Sequence, residues 1–253
     1  MKEATIVGAG LAGSLWAVYL AKAGYKVTIF ERRSDIRLAE IKAGKSINLS
    51  LSFRGIEALK AVGLENSVNE LAIPMYGRIM HSEKGELTYQ PYGKDGQAIY
   101  SVSRGGLNAK MMNIAEKEYG AKIVYNHQCT GADLENGIVY LTNKVTGENL
   151  EHKSDIVFGC DGAYSALRYK AMQKLDRFNY SQEFVEDGYR ELFIPPNKDG
   201  SYKLDKNALH IWPRGRFMLI ALANEDGSFT CTLFMPFTGD ENAFDKINTK
   251  EEI

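Results

Sequence analysis

Residues 5–33, TIVGAGLAGSLWAVYLAKAGYKVTIFERR, constrain the fold of this 253-residue chain more than any other stretch. They read as a strand over 4–7, a glycine-rich turn, a helix, and a second strand that ends in an acid. Gly8, Gly10 and Gly13 fill the pattern G-x-G-x-x-G. The first glycine lets the chain turn tightly, the second lets backbone amides approach a diphosphate, and the third lets the helix pack closely on the strands. The phosphates would lie at the helix N-terminus, where free N–H groups and the helix dipole favour negative charge. Leu11, Leu15, Val18 and Ala21 recur at helical spacing and are predicted to form the buried face. Gly24 is placed to end the helix, and residues 25–30 alternate as a strand. Glu31 at the strand's end can accept the two hydroxyls of an adenosine ribose and would repel a 2′-phosphate, so the tightly held nucleotide is expected to be FAD or NAD rather than NADP. The alternative is a purely structural βαβ unit with Glu31 in solvent.

A hydrophobic fraction of 44% with 25% charged residues belongs to a soluble globular chain. A net charge of −1 makes no electrostatic case for nucleic acid or an anionic membrane. The first strand begins too close to Met1 for a cleavable leader, and the longest apolar run, near 217–223, is too short to span a bilayer. A cytoplasmic protein is the expectation. Cys129, Cys160 and Cys231 are odd in number and form no C-x-x-C, which suggests core thiols in a reducing compartment. His81, His127, His152 and His210 lack metal-ligand spacing, and no metal is expected.

Beyond the first unit, residues 39–52 read as a loop and 54–62 as a short helix stopped by Gly63. A hairpin is predicted over 76–92 with its turn at Lys84 and Gly85. Ser103 is placed to cap a helix whose apolar face is Leu107, Met111, Ile114 and Ala115. Strands are predicted over 122–126, 137–142 and 155–159, the last buried, with a turn at Thr146 and Gly147 before a further short strand. From about residue 179 period-two segments appear, at 189–194, 208–212, 216–223 and 229–235, with a polar loop over 195–207. In the last of them Phe229, Cys231, Leu233 and Met235 share one face, with Thr230 and Thr232 opposite. This alternation argues for an antiparallel sheet. The fold class expected is α/β: a Rossmann-like βαβ dinucleotide domain from 1–71 and 101–178, a β-rich second domain from 72–100 and 179–237, and a polar tail over 238–253.

Asp161, Gly162, Ser165 and Arg168 form D-G-x-x-S-x-x-R after the strand at 155–159. An acid and an arginine at that spacing can orient each other and a phosphate-bearing ligand. The alternative is Asp161 capping a short helix at Ala163.

The two motifs together resemble the aromatic-ring flavoprotein monooxygenases with the FAD fold of p-hydroxybenzoate hydroxylase. FERRSDIR (30–37), GKSINLSLSFRGIEALKAVGLE (44–65), the segments over 73–82, PYG (91–93), SVSRGGLN (101–108), GCDGAYSALR (159–168), HIWPR (210–214) and FTCTLFMPF (229–237) resemble the kynurenine 3-monooxygenase family. The resemblance implies FAD as the bound cofactor and NADPH, O2 and L-kynurenine as substrates, with one oxygen delivered to C3 of the kynurenine ring. The ring amino group activates the ring, so no general base is expected. For the cofactor, the resemblance points to Gly8, Gly10, Leu11, Gly13, Glu31, Arg32 and Arg33 around the adenosine diphosphate, to Ser50, Arg104, Thr130 and Leu167 as further contacts, and to Asp161 and Arg168 as serving both FAD and NADPH. Arg78 and Tyr92 match the pair that holds the kynurenine carboxylate, whereas the residues alone make Arg78 a solvent-facing strand residue. Met235 and Phe237 line the ring pocket or are plain core. The family pattern continues past residue 253 with a second FAD-binding segment, so this stretch by itself is expected to bind FAD poorly and not to turn over.

Overall fold

The computed structural model describes residues 1–38, 48–94, 96–239, 242–247 and 249. The chain divides into two compact units, 1–41 with 105–182 and 42–104 with 183–253. Residues 48–71, grouped above with the dinucleotide domain, fall in the second unit.

In chain order the first unit opens with β1 (Glu3–Val7), α1 (Leu11–Lys22) and β2 (Lys26–Phe30). The second unit then supplies β3 (Asn48–Leu51), α2 (Phe53–Lys60), α3 (Glu65–Asn69), β4 (Ala72–Met75), β5 (Gly77–His81), β6 (Leu87–Pro91) and β7 (Ile99–Ser103). Helix α4 (Arg104–Asn113) follows, and the first unit resumes with β8 (Lys122–Val124), β9 (His127–Asp133), β10 (Ile138–Asn143), β11 (Asn149–Lys153), β12 (Ile156–Gly159) and α5 (Ala166–Lys170). The second unit closes with β13 (Asp187–Ile194), β14 (Ala208–Arg214), β15 (Phe217–Ala223) and β16 (Phe229–Pro236).

The first unit is built on a parallel sheet in the order β12-β1-β2-β8. Helix α1 crosses between β1 and β2, and Gly24 at φ +86° ends it. The amide of Gly24 donates to the Ala21 carbonyl and that of Tyr25 to Leu20, the paired bonds of a Schellman cap. The buried face of α1 is Gly13, Ser14, Ala17, Val18 and Leu20; of the predicted face Val18 is buried, whereas Leu11, Leu15 and Ala21 are only partly so. Small residues face the strands because the helix lies so close: a Cβ on Gly13 would stand 1.9 Å from the Gly8 carbonyl oxygen. Strand β12 is the sheet's edge and is half-buried to exposed, not the buried strand expected. The predicted apolar face of α4 is buried as read, and a π-turn over Ile114–Glu118 extends it.

An antiparallel sheet β11-β10-β9 completes the unit. Strand β9 was not predicted. Its inward positions are Cys129 and Gly131, and a glycine there breaks the apolar alternation that reveals a strand. Val7, Phe30, Cys129, Val139, Leu141 and Leu167 form this unit's buried cluster.

The second unit holds a six-stranded sheet, β13-β16-β15-β14-β5-β6, antiparallel except where β14 runs parallel to β5. Its core gathers Ala221, Ala223, Phe229 and Cys231. Thr230 and Thr232 on the opposite face of β16 are buried as well, so both faces of that strand are covered. A smaller antiparallel sheet has the order β3-β7-β4. Strand β3 lies inside the segment read as loop; residues 39–47 of that segment lie outside the described residues. Its inward residue is Asn48, a polar side chain satisfied by the Ser101 hydroxyl, the Ala223 carbonyl and the Asn224 amide oxygen. The predicted hairpin forms from β5 and β6 and turns at Gly85, φ +83°. The polar end is described only in part: a 3-10 turn spans Phe244–Lys246, and residues 248 and 250–253 lie outside the described residues.

Candidate functional site

The end of β1, the turn after it and the end of β2 converge on one peptide in the first unit. Ala9 donates its amide hydrogen to Glu31 Oε2 at 2.9 Å. The other carboxylate oxygen, Oε1, accepts from the Arg33 amide at 3.0 Å and from Arg33 Nε at 2.9 Å. Glu31 is buried and is not the solvated acid of the alternative reading. Burial alone would raise its carboxyl; the Arg33 guanidinium and the amides of Ala9 and Arg33 outweigh burial and hold it below the ordinary carboxylate value. Arg32 and Arg33 are exposed.

The three glycines separate by cause. Gly8 has φ +101°, and a Cβ there would lie 2.4 Å from the Cys160 carbonyl oxygen. Gly13 is required by the helix contact described above. Gly10 has an ordinary extended backbone, φ −74° and ψ −179°, and a Cβ there would meet nothing within 4 Å. Neither conformation nor packing within the protein demands glycine at position 10. A glycine there leaves the backbone open to a ligand, so the loop fits the diphosphate of a dinucleotide. The amides of Gly10 and Leu11 have no acceptor among the described residues, as the first turn of a helix leaves them.

The D-G-x-x-S-x-x-R segment lies beside this loop, since Cys160 touches both Gly8 and Gly13. Asp161 Oδ2 accepts the amide of Ala166 at 2.6 Å, and the Ser165 hydroxyl caps α5 by accepting from the Arg168 amide at 3.1 Å. The acid therefore does cap a helix, three residues later than Ala163. Asp161 and Arg168 form no ion pair; the Arg168 guanidinium donates to the Ala163 carbonyl and stacks over Tyr169 and Tyr180, 4.9 and 5.3 Å from the ring centres. Asp161 Oδ1 and Arg168 Nε are buried without partners, so each keeps one polar atom to offer. The Leu167 side chain is buried and packs among Phe30, Cys129 and Val139. Thr130 on β9 is exposed and donates to the Tyr140 carbonyl at 3.3 Å.

Sequence reasoning missed Arg37, the last residue of FERRSDIR. It binds Asp35, Glu116, Asn113 and the Tyr125 hydroxyl at once, and so ties the segment after β2 to the helix and strand beyond it. A lone arginine after a strand carried no signal of these partners.

In the second unit Arg78 on β5 is paired with Gln90 on β6, so Tyr92 is its diagonal neighbour on the same face of the hairpin. Arg78 Nε donates to Gln90 Oε1 at 2.7 Å, and its charge is felt at the Tyr92 phenol. Burial pushes that phenol above its ordinary value, with the Arg78 charge opposing, so Tyr92 keeps its proton and can donate it. A guanidinium fork beside a phenol O–H fits a carboxylate. Ser50 on β3 is exposed and pairs in register with Ser101; Arg104 is exposed at the start of α4. Met235 is buried and Phe237 exposed. Among the described residues no group of histidines, cysteines and acids is arranged to hold a metal.

A family profile described as FAD binding domain matches residues 1–186. Kynurenine 3-monooxygenase from Christiangramia forsetii is 48% identical over 251 residues, which is 99% of this chain and 55% of that protein. The enzyme of the same name from Flavobacterium johnsoniae is 49% identical over 248 residues, 98% of this chain and 54% of that protein. A solved flavoprotein/dehydrogenase from Cytophaga hutchinsonii superposes with a TM-score of 0.74 at 16% identity, over 98% of this chain and 58% of that one, and shares the fold. The chain thus spans about half the length of the curated relatives it matches. The profile, the glycine loop and the buried Glu31 agree: this chain belongs to the FAD binding domain family.

Proposed function

We propose that the chain carries the adenosine-diphosphate part of an FAD site and the carboxylate-binding hairpin of a monooxygenase that uses NADPH and O2 to hydroxylate L-kynurenine at ring C3. The observation that carries this reading is identity of 48% to a kynurenine 3-monooxygenase, sustained over 99% of this chain. FAD, when bound, supplies the oxygen activation; the protein supplies binding, orientation and electrostatics.

The roles follow from the chemistry above. Gly8, Gly10, Leu11 and Gly13 present backbone to the diphosphate. Glu31, with Arg32 and Arg33, serves the ribose side. Asp161 and Arg168 keep one free polar atom each for a cofactor, FAD or NADPH. Ser50, Arg104 and Thr130 are exposed and able to reach a ligand. Arg78 and Tyr92 hold the amino-acid carboxylate. Residues 1–71 and 101–178 then serve the cofactor, and 72–100 with 179–237 the substrate. Three unpaired cysteines, two of them buried, fit a cytoplasmic setting. Among the described residues no helix is long and apolar enough to cross a membrane.

The test is a substrate panel. The complete gene product, loaded with FAD, is given NADPH, O2 and a series of aromatic carboxylates. NADPH oxidation stimulated by L-kynurenine, with 3-hydroxykynurenine formed in equal amount, is the expected result. Hydroxylation of a different aromatic acid moves the reading to a related hydroxylase, and a colourless protein indifferent to FAD ends it.

A further inference from the structure

Asn108 is buried in α4, in the SVSRGGLN segment, and nothing above gives it a task. Its Nδ2 donates to the Ala9 carbonyl at 3.1 Å across 99 residues of sequence. Ser14 Oγ, also buried, donates to the same carbonyl at 3.3 Å. Asn108 Oδ1 is buried with no partner. An orphaned buried acceptor is costly, and an apolar side chain of the same size would avoid that cost. The amide is therefore placed there for its donor.

The donor acts on one peptide plane. A trans peptide is rigid and planar, so the Ala9 C=O and the Gly10 N–H point in opposite directions. Fixing the carbonyl towards Asn108 and Ser14 aims the Gly10 amide away from them. Glu31 holds the preceding peptide through the Ala9 N–H at 2.9 Å. Ala9 is thus clamped at both its N–H and its C=O, and the amides beyond it are set before any ligand arrives. Preorganised donors of this kind bind without the cost of being ordered at the moment of binding.

We propose that Asn108, with Ser14 as second donor, is a positioning residue for the diphosphate loop: it orients the Gly10 amide through the Ala9 carbonyl and so sets dinucleotide affinity without touching the ligand. This inference rests on the FAD reading above.

The experiment compares the complete wild-type gene product with its Asn108→Leu and Ser14→Ala variants, titrated with ADP and with FAD. Melting temperature and hydrogen exchange of the peptide covering residues 8–13 are measured without ligand. Ser14→Ala removes one oxygen atom and leaves Asn108 to satisfy the carbonyl, so it folds even where the larger change does not. The expected result is about tenfold weaker ADP and FAD binding in each variant, the factor that one buried hydrogen bond commands. Exchange of the loop amides should be faster in ligand-free protein, with melting temperatures within about 3 °C of wild type. Removing the orphaned Oδ1 in Asn108→Leu offsets the lost bond, whereas a merely structural role predicts that affinity and melting temperature fall together. Unchanged affinity, or loop exchange equal to wild type, overturns the proposal. Wild type that takes up neither ADP nor FAD overturns the cofactor reading instead, and loop exchange then still shows whether Asn108 holds Ala9.

Discussion

Glu31 and Ala9 are joined by a 2.9 Å hydrogen bond that spans 22 residues, from the end of β2 back to the turn after β1. The carboxylate has a structural task in the turn as well as any task towards a nucleotide. Glu31→Gln keeps the shape, removes the charge and turns one acceptor into a donor facing N–H groups. The loss should be about 1–3 kcal/mol in urea unfolding, the cost of a mispaired buried group. ADP binding should weaken, and discrimination against 2′-phosphorylated nucleotides should shrink. The carboxyl is held below its ordinary value of 4.5, so its contribution is fully present above about that pH and is lost as pH falls through the lower folded value. The variant should lose stability less steeply over that window, with the remaining slope supplied by the other lowered carboxylates, Asp35 foremost; a variant with the full wild-type acid slope would show that Glu31 is not among the groups responsible.

Gly10→Ala and Gly13→Ala should behave as opposites. At position 10 the backbone is ordinary and a methyl group meets no atom within 4 Å, so folding stability should hold or rise by about 0.4–1 kcal/mol through the unfolded chain. FAD and ADP affinity should nevertheless collapse, because the methyl group occupies the ligand's approach. At position 13 the added Cβ stands 1.9 Å from a backbone oxygen, and the protein should fail to fold or lose several kcal/mol. Thermal melts and nucleotide titrations separate the two effects. If Gly10→Ala binds as wild type does, the diphosphate lies elsewhere.

The contrast between these two glycines also marks what the sequence could and could not tell. G-x-G-x-x-G followed by an acid predicted the βαβ unit with Glu31 at the end of its second strand, because the pattern reports backbone constraints that only glycine meets; the bond from Ala9 to Glu31 was not foreseen. It could not say that α1 would bury Gly13, Ser14 and Ala17 in place of Leu11 and Leu15, since a helix pressed onto a sheet selects for size before hydrophobicity. Strands β3 and β9 were hidden for a related reason: their inward positions are Asn48, Cys129 and Gly131, and a period-two search finds only apolar ones. Asp161 and Arg168 share a motif yet bond to separate partners, which spacing along a chain cannot reveal. The Arg78 and Tyr92 pair was legible only by resemblance, because an exposed arginine on a strand carries no signal of a ligand.

Arg78→Ala should weaken L-kynurenine binding by about 2–5 kcal/mol, the scale for removing one partner of a desolvated charge pair. Nucleotide affinity should not change. Arg78→Lys should recover only part of the loss, since an ammonium lacks the planar fork. In the ligand-free protein Gln90 Oε1 occupies Arg78 Nε at 2.7 Å and competes with the substrate carboxylate. Gln90→Ala should therefore leave kynurenine affinity equal or tighter. Isothermal titration of the four proteins decides: an Arg78→Ala variant that retains substrate affinity and loses flavin would show that this guanidinium serves the cofactor.

Acid sensitivity should appear near neutral pH because of His81 and His210. His210 is buried, and its Nε2 lies 2.8 Å from the Asp205 carbonyl, which can only accept, so that nitrogen carries the hydrogen. Nδ1 of the neutral ring is then an acceptor, and His81 Nε2, 2.9 Å away, must be the donor. Protonating His210 would set two N–H groups against each other. Burial lowers both imidazoles; at His81 the neighbouring His210 and Arg214 lower it further, while at His210 the Asp205 backbone and carboxylate oppose the shift. The unfolded rings titrate near 6.5, so the unfolded state binds more protons below that pH. Stability from this pair should be full above about 6.5 and fall as pH drops towards the lower folded values, at up to about 1.4 kcal/mol per pH unit for each ring. His210→Phe removes the proton uptake at that ring and should make the fall of urea midpoints between pH 7 and 5 shallower, the rest coming from His81, which burial and Arg214 still lower. His152, lowered by burial in the other unit, leaves a residual slope that is the same in both proteins. The His81 ring stacks on Trp212 at 4.0 Å, so protonation of His81 should quench Trp212 emission in wild type as pH falls, with Trp16→Phe isolating the signal. Equal pH slopes in wild type and His210→Phe would mean that the pair is protonated in the folded chain.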